Sequence, residues 1–121
     1  MKVFVGCDIG GTNIKAGLVN VQNGEVLVSR SIQTLSRQGP DAVMARMAKM
    51  ITELITESQI PKRKIGGLGI SAPGMIDLET NTTLFLPNLY SEWRNIPVGD
   101  RMKEQLGLNI VMLNDVRAIT F

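Results

Sequence analysis

The sequence predicts an α/β domain in which a three-stranded antiparallel meander leads into a right-handed strand-helix-strand crossover. Three observations predict it. An apolar run from Lys2 to Ile9 is followed by glycines, and a second run from Ile14 to Val21 then ends at an Asn-Gly turn. Between Gly39 and Pro61 apolar residues recur at three- and four-residue spacing, the period of a helix lying on a sheet. Glycine-rich and wholly apolar strand segments follow, from Lys64 to Ser71 and from Asn109 to Leu113.

Lys2 to Ile9 is apolar at nearly every position, as expected of a central strand covered on both faces. It ends at Asp8, where Gly10, Gly11 and Thr12 read as a tight turn whose amides can meet an anion. Ile14 to Val21 is the returning arm, Gln22-Asn23-Gly24-Glu25 the next turn, and Val26, Leu27 and Val28 begin the third strand. Gly39-Pro40-Asp41 opens a helix, with proline suited to its first position and Asp41 to the positive end of its dipole. Its stripe of Val43, Met44, Met47, Ile51, Leu54 and Ile55 faces the sheet, which leaves Arg46, Lys49, Glu53 and Glu57 outside. The methionines at 44, 47 and 50 are core filling at this spacing, and Lys62-Arg63-Lys64 is a solvated connection.

The strand from Lys64 to Ser71 breaks at Ala72-Pro73-Gly74, and the crossover makes it parallel to the first strand. Met75 to Asn95 lacks helical period and reads as a long functional loop, with short extended pieces near Thr82–Leu86 and Trp93 as a buried anchor. Pro97 to Leu106 is a second amphipathic helix, closed by Gly107. The last strand delivers Asn114 and Asp115 at its carboxyl end, where one of them caps a helix from Val116. That helix has barely two turns before Phe121, so the sequence is expected to be a piece of a longer protein.

A chain of 121 residues is long enough for one domain with its own core. Its formal charge of +2 is too small and scattered to announce a nucleic-acid surface, and no apolar run reaches the roughly 18 residues of a membrane span. The lone Cys7 reads as a buried thiol in a reducing, cytoplasmic setting. With no histidine and one cysteine, no directly ligated metal centre is expected.

Asp8-Gly10-Gly11-Thr12, Ser71-Ala72-Pro73-Gly74 and Asn114-Asp115 are thus expected at the carboxyl ends of three parallel strands, the edge where open α/β sheets bind ligands. Two aspartates and an amide-lined turn in one cleft suit phosphoryl transfer, which needs positioning, charge neutralisation and one base. The Gly10–Thr12 amides and the Thr12 hydroxyl would hold terminal phosphates, and Asp8 would orient Mg²⁺ through water. Asp115 would be the base, Asn114 would bind a polyol, and the loop from Gly74 to Asn88 would shape the acceptor pocket. Lys15 is read as a solvated strand lysine.

DIGGTNIKAGLV (Asp8–Val19), GISAPGMID (Gly69–Asp77), LPNLYSEWRNIPV (Leu86–Val98) and LNDVRA (Leu113–Ala118) resemble the ordered N-terminal motifs of the ROK family (repressor, open reading frame, kinase). Its catalytic members are ATP-dependent sugar kinases of the actin/ribonuclease-H-like superfamily. The resemblance implies a five-stranded mixed sheet in the order 3-2-1-4-5 with flanking helices. It implies Asp8–Thr12 as the phosphate motif, Asp115 as the base, Asn114 as a sugar ligand, and Gly74 and Asn88 as lining of the sugar pocket. Arg117 departs from the small or amide residue common there. The family's second domain, with the nucleotide pocket, completing His and Glu residues and a zinc motif, has no counterpart in these 121 residues.

The expectation is therefore the N-terminal lobe of a kinase of a hexose or N-acetylated amino sugar, using ATP and Mg²⁺ and inactive by itself. The alternative is the sugar-sensing domain of a ROK-type transcriptional regulator. The expected partner is a small-molecule sugar, without nucleic acid or membrane, and the full-length parent has room for homo-oligomerisation.

Overall fold

The computed structural model describes residues 2–71, 75–77, 82–85 and 97–113. The main sheet is built of β1 (Val3–Ile9), β2 (Asn13–Asn20), β3 (Val26–Gln33), β4 (Ile65–Ser71) and β7 (Ile110–Leu113). Their spatial order is β3-β2-β1-β4-β7, so the five strands run 3-2-1-4-5 as expected. β1–β2 and β2–β3 are antiparallel, whereas β1–β4 and β4–β7 are parallel. The short β5 (Met75–Asp77) and β6 (Thr82–Phe85) form a separate antiparallel ribbon, so the extended pieces expected near Thr82 are present.

Two helices cover one face of the sheet. α1 (Pro40–Ser58) begins with proline in its first turn behind Gly39, and α2 (Val98–Leu106) stops at Gly107 in the left-handed region. Val43, Met44, Met47, Ile51 and Leu54 are buried as the stripe requires, together with Ala48 and Met50, while Ile55 is half-buried. They share one core with Val3, Val5, Cys7 and Ile9 of β1, Leu68 and Ile70 of β4, and Val98, Met102 and Leu106 of α2. Successive side chains of a strand point to opposite faces, so Phe4, Gly6 and Asp8 lie on the other side of β1. Phe4 there is 36% exposed, so among the described residues β1 has a helix-packed face and a more open one, against the expectation of cover on both. The Phe4 ring lies against Gly66 and Gly67, where β4 carries an irregular register.

On the side of α1 expected to face solvent, Lys49, Glu53 and Glu57 are exposed, and the two glutamates pair with Arg30 of β3. Arg46 is a correction: it is half-buried and donates to the Thr34 carbonyl and to Gln38 Oε1. Its three-carbon stem reaches past the helix rim, and the guanidinium finds acceptors in the link between β3 and α1. Asp41, placed at the positive end of α1, also pairs with Arg101 of α2 and ties the two helices together.

Candidate phosphate site at the strand ends

The sheet register decides which side chains meet. Asp8 pairs across to Lys15 on β2 and to Ser71 on β4, and Ser71 pairs in turn with Leu113 on β7. The carboxyl ends of the three parallel strands therefore share one edge up to Leu113. Asn114 and Asp115 follow in sequence and lie outside the described residues, as do Gly74 and Asn88, Ala72-Pro73, Trp93 and the helix expected from Val116.

The glycine turn is closed by the Gly10 N–H, which donates to the Asn13 carbonyl at 2.9 Å. Gly10 is needed there for space, because a Cβ would sit 2.7 Å from that same oxygen. Its amide is thus engaged, whereas the neighbouring N–H groups of Gly11 and Thr12 meet no acceptor among the described residues. Gly11 and Thr12 are exposed, and they line a cavity of about 460 Å³ together with Gln33, Leu35, Arg37 and Gln38. Unpaired amides in a turn beside an arginine form a ready seat for an anion.

Asp8 is half-buried, and desolvation raises its pKa above the ordinary carboxylate value of 3.8, while the charge of Lys15 pulls the other way. Cys7, one residue earlier and on the core face, has its thiol pushed up to about 12 by burial and by the neighbouring Asp8 charge. It is the buried thiol expected from the sequence.

Thr34 was not legible as a site residue, and Ser71 was expected at this edge without a role of its own. Thr34, directly after β3, is fully buried, and its N–H and hydroxyl donate to the Thr12 and Gly10 carbonyls at 2.8 and 2.7 Å. Ser71 is also fully buried, and its hydroxyl has no hydrogen-bond partner among the described residues. A polar group at a strand end is usual in sequence, so neither pattern distinguishes a buried hydroxyl from a solvated one.

The residues fit a magnesium-bound phosphate group. Two amides and a hydroxyl offer donors to phosphate oxygens, and a desolvated carboxylate gains by a nearby cation. Among the described residues no three His, Cys, Asp or Glu side chains converge. Among the same residues no helix is long and apolar enough to cross a membrane.

The sequence profile of the ROK family matches residues 4–121. A glucokinase of Thermotoga maritima is 32% identical over 115 residues, which cover 95% of this chain and 34% of that protein. A putative xylose repressor of a Caldicellulosiruptor species is 24% identical over 96% of this chain and 28% of its own length. Among solved structures, a ROK family glucokinase from Streptomyces griseus in complex with glucose and AMPPNP superposes with a TM-score of 0.81. It is 28% identical, with 96% of this chain and 34% of that one covered. The chain spans about a third of the length of the glucokinases it matches.

Proposed function

Since the chain belongs to the ROK family, we propose that it forms the N-terminal, phosphate-binding lobe of an ATP-dependent kinase of a hexose or an N-acetylated amino sugar. The observation that carries this is the glycine turn, with two unpaired amides beside Asp8, at the edge shared by β1, β4 and β7. The Gly11 and Thr12 amides and the Thr12 hydroxyl hold the terminal phosphates, and Gly10 supplies the space that lets the turn close. Asp8 would be the residue that holds Mg²⁺ in place, through water. Magnesium-bound ATP supplies the phosphoryl group and neutralises charge when bound.

Asp115 takes the proton of the attacking sugar hydroxyl, and Asn114, Gly74 and Asn88 hold the sugar, on the strength of the motifs that contain them. Relatives named glucokinase favour a hexose, and the Streptomyces griseus neighbour solved with AMPPNP favours ATP as donor. A cytoplasmic location follows, because ATP is available there. With about a third of its relatives' length, the chain alone is expected to be inactive.

The repressor relative supports a second reading, a sugar-sensing domain without transfer chemistry. One assay separates the two: phosphoryl transfer from ATP–Mg²⁺ to a panel of hexoses and N-acetylated amino sugars by the full-length parent, with Asp115→Ala alongside. Loss of about 10²–10⁴ in kcat in Asp115→Ala is expected for removal of a general base. Intact turnover in that variant would refute the base assignment. Saturable sugar binding with no turnover in the parent would favour the sensor.

A further inference from the structure

The proposal below rests on the phosphate reading of the glycine turn and adds to it the residue that aims the turn. Thr34 is the best-connected polar residue next to it. Its N–H donates to the Thr12 carbonyl at 2.8 Å and its hydroxyl to the Gly10 carbonyl at 2.7 Å. Its own carbonyl accepts from Arg46 Nη2 of α1 at 2.7 Å. Every polar group of Thr34 is therefore used, and the residue is fully buried.

The geometry of the peptide unit turns these bonds into an orientation. In a trans peptide the carbonyl and the following N–H point in opposite directions across one rigid plane. Holding the Gly10 carbonyl against the Thr34 hydroxyl therefore fixes the Gly11 N–H away from Thr34. The Thr12 carbonyl is fixed in the same way, which orients the Asn13 N–H, so the peptide before Gly11 and the peptide after Thr12 are both held from β3. A glycine turn without such bonds could flip a peptide plane and present an oxygen where an anion needs a donor.

The anchor is itself braced. Arg46 reaches from α1 to the Thr34 carbonyl and, through Nη1, to Gln38 Oε1 at 2.8 Å. Leu35, between them, takes a positive φ of 50°, and that sharp reversal leads β3 into the short helical turn Ser36–Gln38. The exposed turn is thus coupled to the core helix through two side chains rather than resting on its single closing bond.

We propose that Thr34 is a positioning residue for phosphate binding, holding the Gly11 N–H in the anion-accepting orientation, and that Arg46 holds Thr34 in place. It is tested on the 121-residue chain with inorganic triphosphate and Mg²⁺, by following the Gly11 and Thr12 amide resonances and the binding isotherm. Thr34→Val, which keeps the shape but not the hydroxyl, is expected to weaken binding roughly five- to tenfold, the usual worth of one hydrogen bond. Thr34→Ser keeps the hydroxyl and is expected to bind within about twofold of the parent chain, a rescue that lost packing alone would not give. Arg46→Met keeps the hydroxyl and removes the brace, and is expected to fall between them.

Should Thr34→Val fail to fold, the comparison of Arg46→Met with the parent chain carries the test. Triphosphate shifts at Gly11 in the parent chain with equal affinity in Thr34→Val and Arg46→Met would overturn the positioning role while leaving the phosphate reading intact. No triphosphate response of Gly11 or Thr12 in the parent chain would overturn both.

Discussion

Replacing Gly10 by alanine tests whether the turn is built on space. The new Cβ would lie 2.7 Å from the Asn13 carbonyl oxygen, and ordinary contact begins near 3.4 Å, so that oxygen must retreat by about 0.7 Å. The same oxygen accepts the closing hydrogen bond from the Gly10 N–H at 2.9 Å, which cannot survive such a retreat. Losing that bond costs about 0.5–1.5 kcal/mol, and residual crowding of the backbone adds about 1 kcal/mol. The lower chain entropy of unfolded alanine returns about 0.4–1 kcal/mol. A net loss of about 0.5–2 kcal/mol follows, or a fall in Tm of about 2–8 °C for a domain of this size. Thermal unfolding followed by circular dichroism measures it. Gly24 is the control, since it has a positive φ of 72° and nothing within 4 Å. Asparagine tolerates that backbone region, so Gly24→Asn is expected to melt within about 2 °C of the parent chain, whereas Gly10→Asn should resemble Gly10→Ala. A Tm for Gly10→Ala equal to or above that of the parent chain would refute the account.

Two further outcomes follow from the titrating groups. Because burial raises the Asp8 pKa in the folded chain, the folded state holds this proton more tightly than the unfolded state does. Its charge therefore opposes folding above the raised value, and the opposition disappears as pH falls below the ordinary 3.8. Asp8→Asn should accordingly raise the Tm at neutral pH and remove the part of the pH dependence that lies between those two values. An unchanged melting profile across that window would contradict the desolvated carboxylate. The Cys7 thiol, pushed up to about 12 and buried, should react with alkylating reagents only when β1 opens. Its labelling rate is expected to rise with denaturant in step with global unfolding, and rapid labelling of the native chain would show that β1 opens locally.

The sheet and both helices were legible because their signals are repetitive. Asn23-Gly24 fixes a turn, the α1 stripe repeats from Val43 to Ile55, and Gly107 marks the end of α2, so each element is specified several times over. The family resemblance added the strand order, which turn chemistry alone leaves undetermined. What escaped the sequence depends on single contacts across the fold. Arg46 falls on the polar side of α1 by period, yet two acceptors in the β3–α1 link bring it halfway into the interior. Glu53 and Glu57 are exposed as their period requires, but their shared partner Arg30 comes from β3, which no local pattern announces. Within the site, the glycines announced a turn but not that Gly10 spends its own N–H closing it. Thr34 gave no signal, since its role arises from β3 lying beside β2 with Thr34 opposite Thr12.

The position of the site follows from the register that builds the core. Along β1 the odd residues Val3, Val5, Cys7 and Ile9 are buried beneath the helices, and the period of two sends Phe4, Gly6 and Asp8 to the other face. Asp8 is the last of these before the turn, and the same pairing that aligns Cys7 with Ala16 and Ile70 aligns Asp8 with Lys15 and Ser71. A slip of one residue would turn Val5 and Ile9 towards the open face and place the carboxylate among the methionines of α1. Exposing two such side chains forfeits about 3–6 kcal/mol, and an unpaired carboxylate in an apolar interior adds several more. That sum is comparable to the whole stability of a small domain, about 5–15 kcal/mol, so the slipped register is not populated. The carboxylate, the buried serine hydroxyl and the glycine turn are brought to one edge by hydrophobic burial on the opposite face. A substitution in that core which shifts β1 against β4 would therefore disturb the candidate phosphate site without touching any residue in it.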